Sequence, residues 1–121
     1  MKWLYTPHVP HGWDCRILFD LSTKTLFCGD LFTQPGAKMP PVTESEVLTT
    51  SEGMRGMMDY YAHATSTSTI LERLADLHPS LLACQDGSAY RGGGAALLRE
   101  LAATIERGNG KLFAPPVAVI A

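Results

Sequence analysis

The stretch VPHGWDCRILFDLSTKTLFCGDLF, residues 9–32, decides the fold. It contains two apolar runs of strand-forming composition, CRILFD at 15–20 and TLFCGD at 25–30, with Leu-Ser-Thr-Lys between them. Two such runs joined by a short connection predict a β-hairpin. We expect Asp20 to lie opposite Thr25, which fixes the register of every other pair in the hairpin.

The predicted register gives the hairpin one apolar face that ends in a carboxylate. Side chains alternate along a strand, so this face carries every second residue. Its members are Cys15, Ile17, Phe19, Leu26, Cys28 and Asp30. Cys15 and Asp30 form the last pair, and His11 precedes Cys15 by only four residues. The hairpin is therefore expected to bring His11 and Asp30 to the same end.

Length and composition are those of one globular domain. The 121 residues are 45% hydrophobic and 18% charged, so a packed core is expected rather than disorder. The net charge of -2 and the scattered Lys and Arg residues argue against nucleic acid as a partner. No apolar run approaches the roughly 18 residues that span a bilayer, and the N-terminus MKWLYTPHVPHG lacks the pattern of a signal peptide. We expect no membrane association and a cytoplasmic location.

The three cysteines are Cys15, Cys28 and Cys84, and each lies in or beside an apolar run. No C-x-x-C spacing of a zinc or redox motif is present. We therefore expect buried, reduced thiols, which fit a cytosolic protein.

Helices are predicted after the hairpin. Thr43 and Glu46 have the spacing of a capping box, which predicts the start of a helix over 43–64. The run of Ser and Thr at 65–69 predicts the start of a second helix, which ends before Pro79.

A strand and a last helix complete the predicted order. The strand covers Leu81–Cys84, and the helix runs from the glycines at 92–94 to Gly108 with its apolar residues on one face. The order of hairpin, helices, strand and helix predicts an α/β fold with the helices packed on one face of a small sheet. We expect a single domain over 1–110 and a C-terminal tail over 111–121.

His11 and Asp30 are the first candidate site residues. An imidazole and a carboxylate are suitable ligands for zinc, iron or manganese, although a metal site needs about three or four ligands. Alternatively, Asp30 caps the turn after its strand by accepting backbone N–H bonds. His8 is a weaker candidate, because Val9-Pro10 keeps the backbone extended and the two rings need not point the same way.

Asp86 is a further candidate, because it follows the predicted strand directly and site residues in α/β folds often stand there. The three glycines at 92–94 precede a helix and could cradle a phosphate. No phosphate-loop motif accompanies them, and a plain junction between loop and helix is favoured.

Two segments resemble a known family. The run TPHVPHGWDCRILFDLSTKTLFCGDLFTQ is similar to the second half of metallo-β-lactamase-fold hydrolases, in which a histidine precedes a strand pair that ends in Gly-Asp. The run LLACQDGSAYRGGGAALLRELA is similar to the closing segment of that family, and the resemblance covers roughly residues 5–107. It implies that the α/β fold is one half of an αββα sandwich.

The resemblance also implies roles for three residues. His11 corresponds to the metal-ligand histidine before the hairpin, and Asp30 corresponds to the aspartate that ligates or bridges the metals. The last ligand histidine of the family falls at Asp86, so an aspartate replaces it here.

The His-x-His-x-Asp-His motif of the family, which supplies most of the ligands, does not occur in this sequence. The resemblance therefore implies a partial hydrolase domain that is inactive alone, holds no cofactor by itself, and pairs with a second copy. The alternative is a metal-dependent hydrolase that is completed by a complementary half-domain, with zinc, iron or manganese bound between the two. No catalytic residue is assigned.

Overall fold

The computed structural model describes residues 1–13, 15–34, 40–57, 61 and 65–112. Within these ranges the chain is a mixed α/β fold of six strands in one open sheet and three helices. The elements are β1 (Lys2–Tyr5), β2 (Arg16–Asp20), β3 (Thr25–Gly29), β4 (Val42–Thr43), α1 (Leu48–Met57), α2 (Thr67–Ala75), β5 (Leu81–Cys84), β6 (Ala89–Arg91) and α3 (Gly94–Leu112).

The sheet has the strand order β1-β2-β3-β5-β6-β4. Strands β2 and β3 form the predicted antiparallel hairpin, and the pair Asp20–Thr25 confirms its register. Strand β5 lies parallel to β3, so the chain crosses over between them through α1 and α2. Because parallel strands end at the same edge of a sheet, the residues that follow β3 and β5 lie side by side.

The core lies between one face of the sheet and the helices. The apolar face of the hairpin is buried as predicted, and its members Ile17, Phe19, Leu26 and Cys28 are at most 3% exposed. They join one cluster with the apolar residues of α2 and α3, which are Ile70, Leu71, Leu74, Ala75, Leu97, Leu98, Leu101, Ala102 and Ile105. This cluster fixes the position of the hairpin relative to the helices.

The first helix differs from its prediction. The sequence predicts a capping box at Thr43 and Glu46, but α1 begins at Leu48. Glu46 instead lies before the helix, and its carboxylate accepts the backbone N–H of Thr49 at 3.0 Å. The side chain and the backbone N–H of Thr49 favour the ionised form and together lower the pKa of Glu46. Thr43 belongs to β4, which pairs with β6. The pairing of β4 therefore displaces the helix start by one turn.

The other two helices follow their predictions more closely. Helix α2 begins inside the predicted Ser and Thr run and ends before Pro79. Helix α3 begins at Gly94, where a Cβ would stand 2.6 Å from the carbonyl oxygen of Pro79. A glycine is required there because the helix start packs directly against the backbone before β5. The helix passes Gly108 and ends at Leu112, two residues beyond the predicted domain boundary at 110.

Three strands were not predicted from the sequence. Strands β1, β4 and β6 have four, two and three residues, which is too short for a clear alternation of apolar and polar side chains. Each of them is defined by its pairing with a neighbour rather than by its own composition. The division into a domain over 1–110 and a tail over 111–121 stays a prediction, because the residues from 113 lie outside the described ones.

In the described part of the chain, no helix is both long and apolar enough to cross a lipid bilayer.

The hairpin turn is held by one carboxylate. Asp20 accepts hydrogen bonds from the hydroxyl of Ser22 at 2.8 Å, the hydroxyl of Thr23 at 2.9 Å and the backbone N–H of Ser22 at 3.1 Å. These bonds favour the ionised form and lower the pKa of Asp20. A pKa that is lower in the folded than in the unfolded chain stabilises the fold above the unfolded pKa. This contribution is lost as the pH falls through the folded pKa.

We expect Asp20→Asn to lower the urea midpoint of unfolding at neutral pH, because an amide cannot accept these bonds as strongly as a carboxylate. At a pH below the lowered pKa the difference from wild type should shrink, since the wild-type carboxyl is then protonated as well. Urea unfolding at a series of pH values measures this. Glu44→Gln is the control, because Glu44 follows β4, the edge strand at the far side of the sheet from the hairpin. An equal decrease of the urea midpoint at all pH values would contradict the stabilising role of the ionised Asp20.

Candidate metal-binding cleft

A cleft of about 310 Å³ lies at the end of the hairpin. It is bounded by the loop before β2, the start of β2, the end of β3 and the residue after β5. Its lining residues are Val9, Pro10, His11, Trp13, Cys15, Arg16, Ile17, Cys28, Gly29, Asp30 and Gln85. Two of the three sequence-predicted site residues, His11 and Asp30, therefore face the same space.

His11 and Asp30 form a direct pair in this cleft. His11 Nε2 lies 2.6 Å from Asp30 Oδ2, and both side chains are partly buried, with 20% and 34% exposed. The carboxylate of Asp30 is therefore hydrogen-bonded to the imidazole of His11. The turn after β3 is closed by other groups, since Leu31 N–H donates to the carbonyl of Cys28 and the Thr33 hydroxyl donates to the carbonyl of Asp30. This arrangement favours the paired site over the interpretation of Asp30 as a turn cap.

The loop before β2 holds the ring of His11 in place. The indole of Trp13 stacks on the imidazole with ring centroids 4.3 Å apart and planes inclined by 13°. The Cys15 thiol contacts the carbonyl of His11, and the N–H of His8 donates to the carbonyl of Trp13. Trp13 is 62% exposed, so its role is that of a wall of the cleft rather than of a core residue. His8 is exposed and does not line the cleft.

Asp86 takes a different place from His11 and Asp30. Its residue is exposed, and its backbone carbonyl accepts the N–H of Gln34 at 2.9 Å. The neighbouring Gln85 lines the cleft instead. Among the residues that the structure describes, no group of three or more His, Cys, Asp or Glu side chains could hold a metal ion. The ligand roles of His11, Asp30 and Asp86 stay predictions.

Gln34 is the residue that the sequence analysis missed. Its side chain is 2% exposed and connects the loop after β3 with the loop after β5. The amide nitrogen donates to the carbonyls of Phe32 and Ser88, and the amide oxygen accepts the N–H of Ser88, each at 3.1 Å. Gly87 makes room for it, because a Cβ there would stand 2.6 Å from Gln34 Cβ. The packing of Gln34 against Gly87 and the three hydrogen bonds thus hold together the two loops beside the cleft.

Two cysteines lie behind the cleft wall. Cys28 is fully buried in β3, and Cys84 is partly buried in β5. A hydrogen bond to Cys84, together with burial, raises the pKa of the Cys28 thiol well above its usual value. The same bond lowers the pKa of Cys84, against the opposing effect of burial. Cys15 is partly buried, so the prediction of buried thiols holds fully only for Cys28.

Comparisons with known proteins find a resemblance to solved structures, one of which matches over most of this chain. No family model and no curated protein matches the sequence. The solved structure is described as the peroxy diiron species of chemotaxis sensor ODP, and it matches with a TM-score of 0.59 and 24% sequence identity. The match covers 74% of this chain and 38% of the sensor chain, so the matched part is well under half of the sensor's length. The likeness concerns the fold.

This comparison corrects the family prediction. The sequence resemblance implied the second half of a metallo-β-lactamase-fold hydrolase, whereas the matching structure is a diiron chemotaxis sensor and no family model supports the hydrolase family. The assignment to the metallo-β-lactamase fold is therefore wrong, and what holds is the general α/β class. The Gly29-Asp30 strand end carried the resemblance. It places a carboxylate beside a histidine, a geometry that does not specify hydrolysis.

We expect Gln34→Ala to lower the free energy of unfolding by about 2–4 kcal/mol, because it leaves the buried N–H of Ser88 without its acceptor and removes packing against Gly87. Thermal and urea unfolding measure the loss. The matched control is Gln85→Ala, which changes an exposed glutamine on the neighbouring loop and should cost far less. Equal losses in the two variants would show that Gln34 does not hold the loops together.

Proposed function

We propose that this chain supplies His11 and Asp30 to an iron centre whose remaining ligands come from a second polypeptide segment. The direct His11–Asp30 pair in the cleft carries the proposal. Imidazole and carboxylate are ligands that iron accepts, and they are the donor types expected of such a site. The described residues do not offer a third ligand of these types, so the chain does not fit a complete diiron centre by itself.

The structural neighbour supports iron over the other metals considered. Zinc, iron and manganese all suit one histidine and one carboxylate. The neighbour carries a diiron centre, and the matched part is 38% of its chain. We infer that this chain corresponds to one contributing part of a larger binding unit, and that the ligand of the completed centre is a small oxygen species. A binding or sensing role fits this better than a hydrolytic role, and the chain alone is inactive.

The open face of the sheet is where the completing segment would pack. Strand pairing places Trp3, Leu18 and Phe27 in one row on the face opposite the helices. Trp3 is 68% exposed and Phe27 is 41% exposed. On the same face, Arg16 and Gly29 line the cleft, so the apolar row continues directly into it. A polypeptide that covers this face would therefore reach His11 and Asp30.

We expect the isolated chain to bind ferrous iron weakly, with at most one ion per chain, because two donors hold a metal far less tightly than three or four. Anaerobic calorimetric titration measures affinity and stoichiometry, and Mn²⁺ broadening of NMR signals locates the ion. His11→Ala should abolish the binding, and Asp30→Asn should weaken it strongly. The broadened signals should centre on His11 and Asp30.

His8→Ala is the control for iron binding, since His8 is an exposed histidine of the same loop that does not line the cleft. It should leave the titration unchanged. Circular dichroism of each variant separates loss of binding from loss of folding. Tight binding of two irons per isolated chain would contradict the proposal, and so would binding that persists in His11→Ala.

In the absence of a completing segment, we expect a second copy of the chain to cover the open sheet face. Two such faces can pack around a two-fold axis and bury each other's apolar rows. Light scattering at micromolar concentration should give a dimer for the wild type. Trp3→Lys should give a monomer, because it places a charge in the contact. Leu21→Lys changes a leucine of the hairpin turn that is 59% exposed, against 68% for Trp3, and it should leave the dimer intact. A monomeric wild type would overturn this expectation.

A further inference from the structure

Cys28 and Cys84 lie on neighbouring, hydrogen-bonded strands and on the same face of the sheet. Strand β3 pairs with β5 in parallel, with Leu26 opposite Leu82. Both leucines are fully buried, and the cysteines follow each of them by two residues. Since side chains alternate along a strand, both cysteines point to the buried face.

A β-bulge brings the two cysteines to the same level. Phe27 pairs with Ala83, and Gly29 pairs with Cys84, the next residue of β5. Cys28 is therefore the extra residue of β3, and it lies next to Cys84 across the two strands. Neighbouring strands are about 4.7–4.9 Å apart, which is inside the range of roughly 4.4–6.8 Å that Cα atoms of a disulfide span. Each thiol donates to the carbonyl two residues before it in its own strand, Cys28 to Leu26 at 3.6 Å and Cys84 to Leu82 at 3.8 Å.

The two thiols differ in access. Cys84 is partly buried and is followed by Gln85, which lines the cleft. Cys28 is 0% exposed. Cys84 is the more exposed of the two thiols, and a small oxidant therefore reaches it more readily than Cys28, which lies beside it on the neighbouring strand. A partly exposed thiol with a second thiol beside it is the arrangement in which oxidation ends in a disulfide.

We propose that Cys28 and Cys84 form an oxidation site at which a hydroperoxide converts two thiols into a disulfide that joins β3 to β5. This proposal does not depend on the iron centre proposed above, because it rests on the strand register and on the shared buried face of the two cysteines.

The reaction balances in two steps. The sulfur of Cys84 attacks the outer oxygen of the hydroperoxide, the O–O bond breaks, and a sulfenic acid and an alcohol (or water, from hydrogen peroxide) are formed. The sulfur of Cys28 then attacks the sulfenic sulfur, the S–S bond forms, and water leaves with the Cys28 proton. Two thiols lose two electrons in total, and the hydroperoxide takes up both.

Oxidation of the two cysteines would change the wall of the cleft. Cys28 is part of the cleft wall, and Asp30 follows it at the end of the same strand. A disulfide would remove the freedom of β3 and β5 to separate at this edge. It would also close a long loop that contains α1 and α2. The oxidised chain should therefore resist urea more strongly than the reduced chain.

Peptide mapping after treatment with hydrogen peroxide tests the proposal. Trypsin cleavage after Lys and Arg leaves the three cysteines on separate peptides, covering residues 3–16, 25–38 and 74–91. We expect a linked peptide of 25–38 with 74–91, lighter by two hydrogen atoms than the two free peptides together. The urea midpoint should rise and return to its original value after reduction.

Single variants assign the steps. Cys84→Ser should lose the cross-link and resist early oxidation, whereas Cys28→Ser should stop at a sulfenic acid on Cys84 that dimedone traps. Cys15→Ser, which changes the third cysteine at the cleft, should form the cross-link as the wild type does. The wild-type experiment requires no substitution, so a variant that fails to fold does not affect it. Persistence of both free thiols, or a link from Cys15 instead, would overturn the proposal.

Discussion

Parallel pairing of β3 with β5 is the constraint on which the cleft depends. It sets the ends of two strands side by side although some fifty residues of chain separate them, and it directs both following loops to one edge. Antiparallel pairing of β2 with β3 then brings the approach loop to the same edge. Apolar burial against α2 and α3 holds this arrangement, because the buried side of these strands is continuous with the helix faces.

The loops at this edge are held by hydrogen bonds between residues that are far apart in sequence. Gln34 satisfies three backbone groups with one amide, two of them on Ser88. Phe32 is fully buried with a φ of 58°, a left-handed conformation that costs a bulky residue free energy. The burial of its ring and the bond from Gln34 to its carbonyl offset that cost. The loops beside the cleft are therefore held by packing and by long-range hydrogen bonds rather than by local sequence preference.

Features that depend on local pattern could be predicted from the sequence. The hairpin register, the buried faces of α2 and α3, and the meeting of His11 with Asp30 all follow from periodicity over a few residues. Features fixed by distant partners could not. The bonding partner of Gln34 lies 54 positions away, and the pairing of β4 with β6 decides where α1 starts. The family prediction failed for a related reason, since the residues that carried it define a strand end and not a reaction.

The His11–Asp30 contact also explains why a second segment matters to the proposed metal site. The two donors now satisfy each other at 2.6 Å, which removes the cost of leaving a partly buried carboxylate without a partner. A metal ion must therefore compete with an existing charge-assisted bond, and two ligands gain little beyond what that bond already provides. Each further ligand stabilises the metal-bound state and leaves the stability of the competing His11–Asp30 pair unchanged. Additional donors from another segment thus shift the balance from the closed pair to the bound ion.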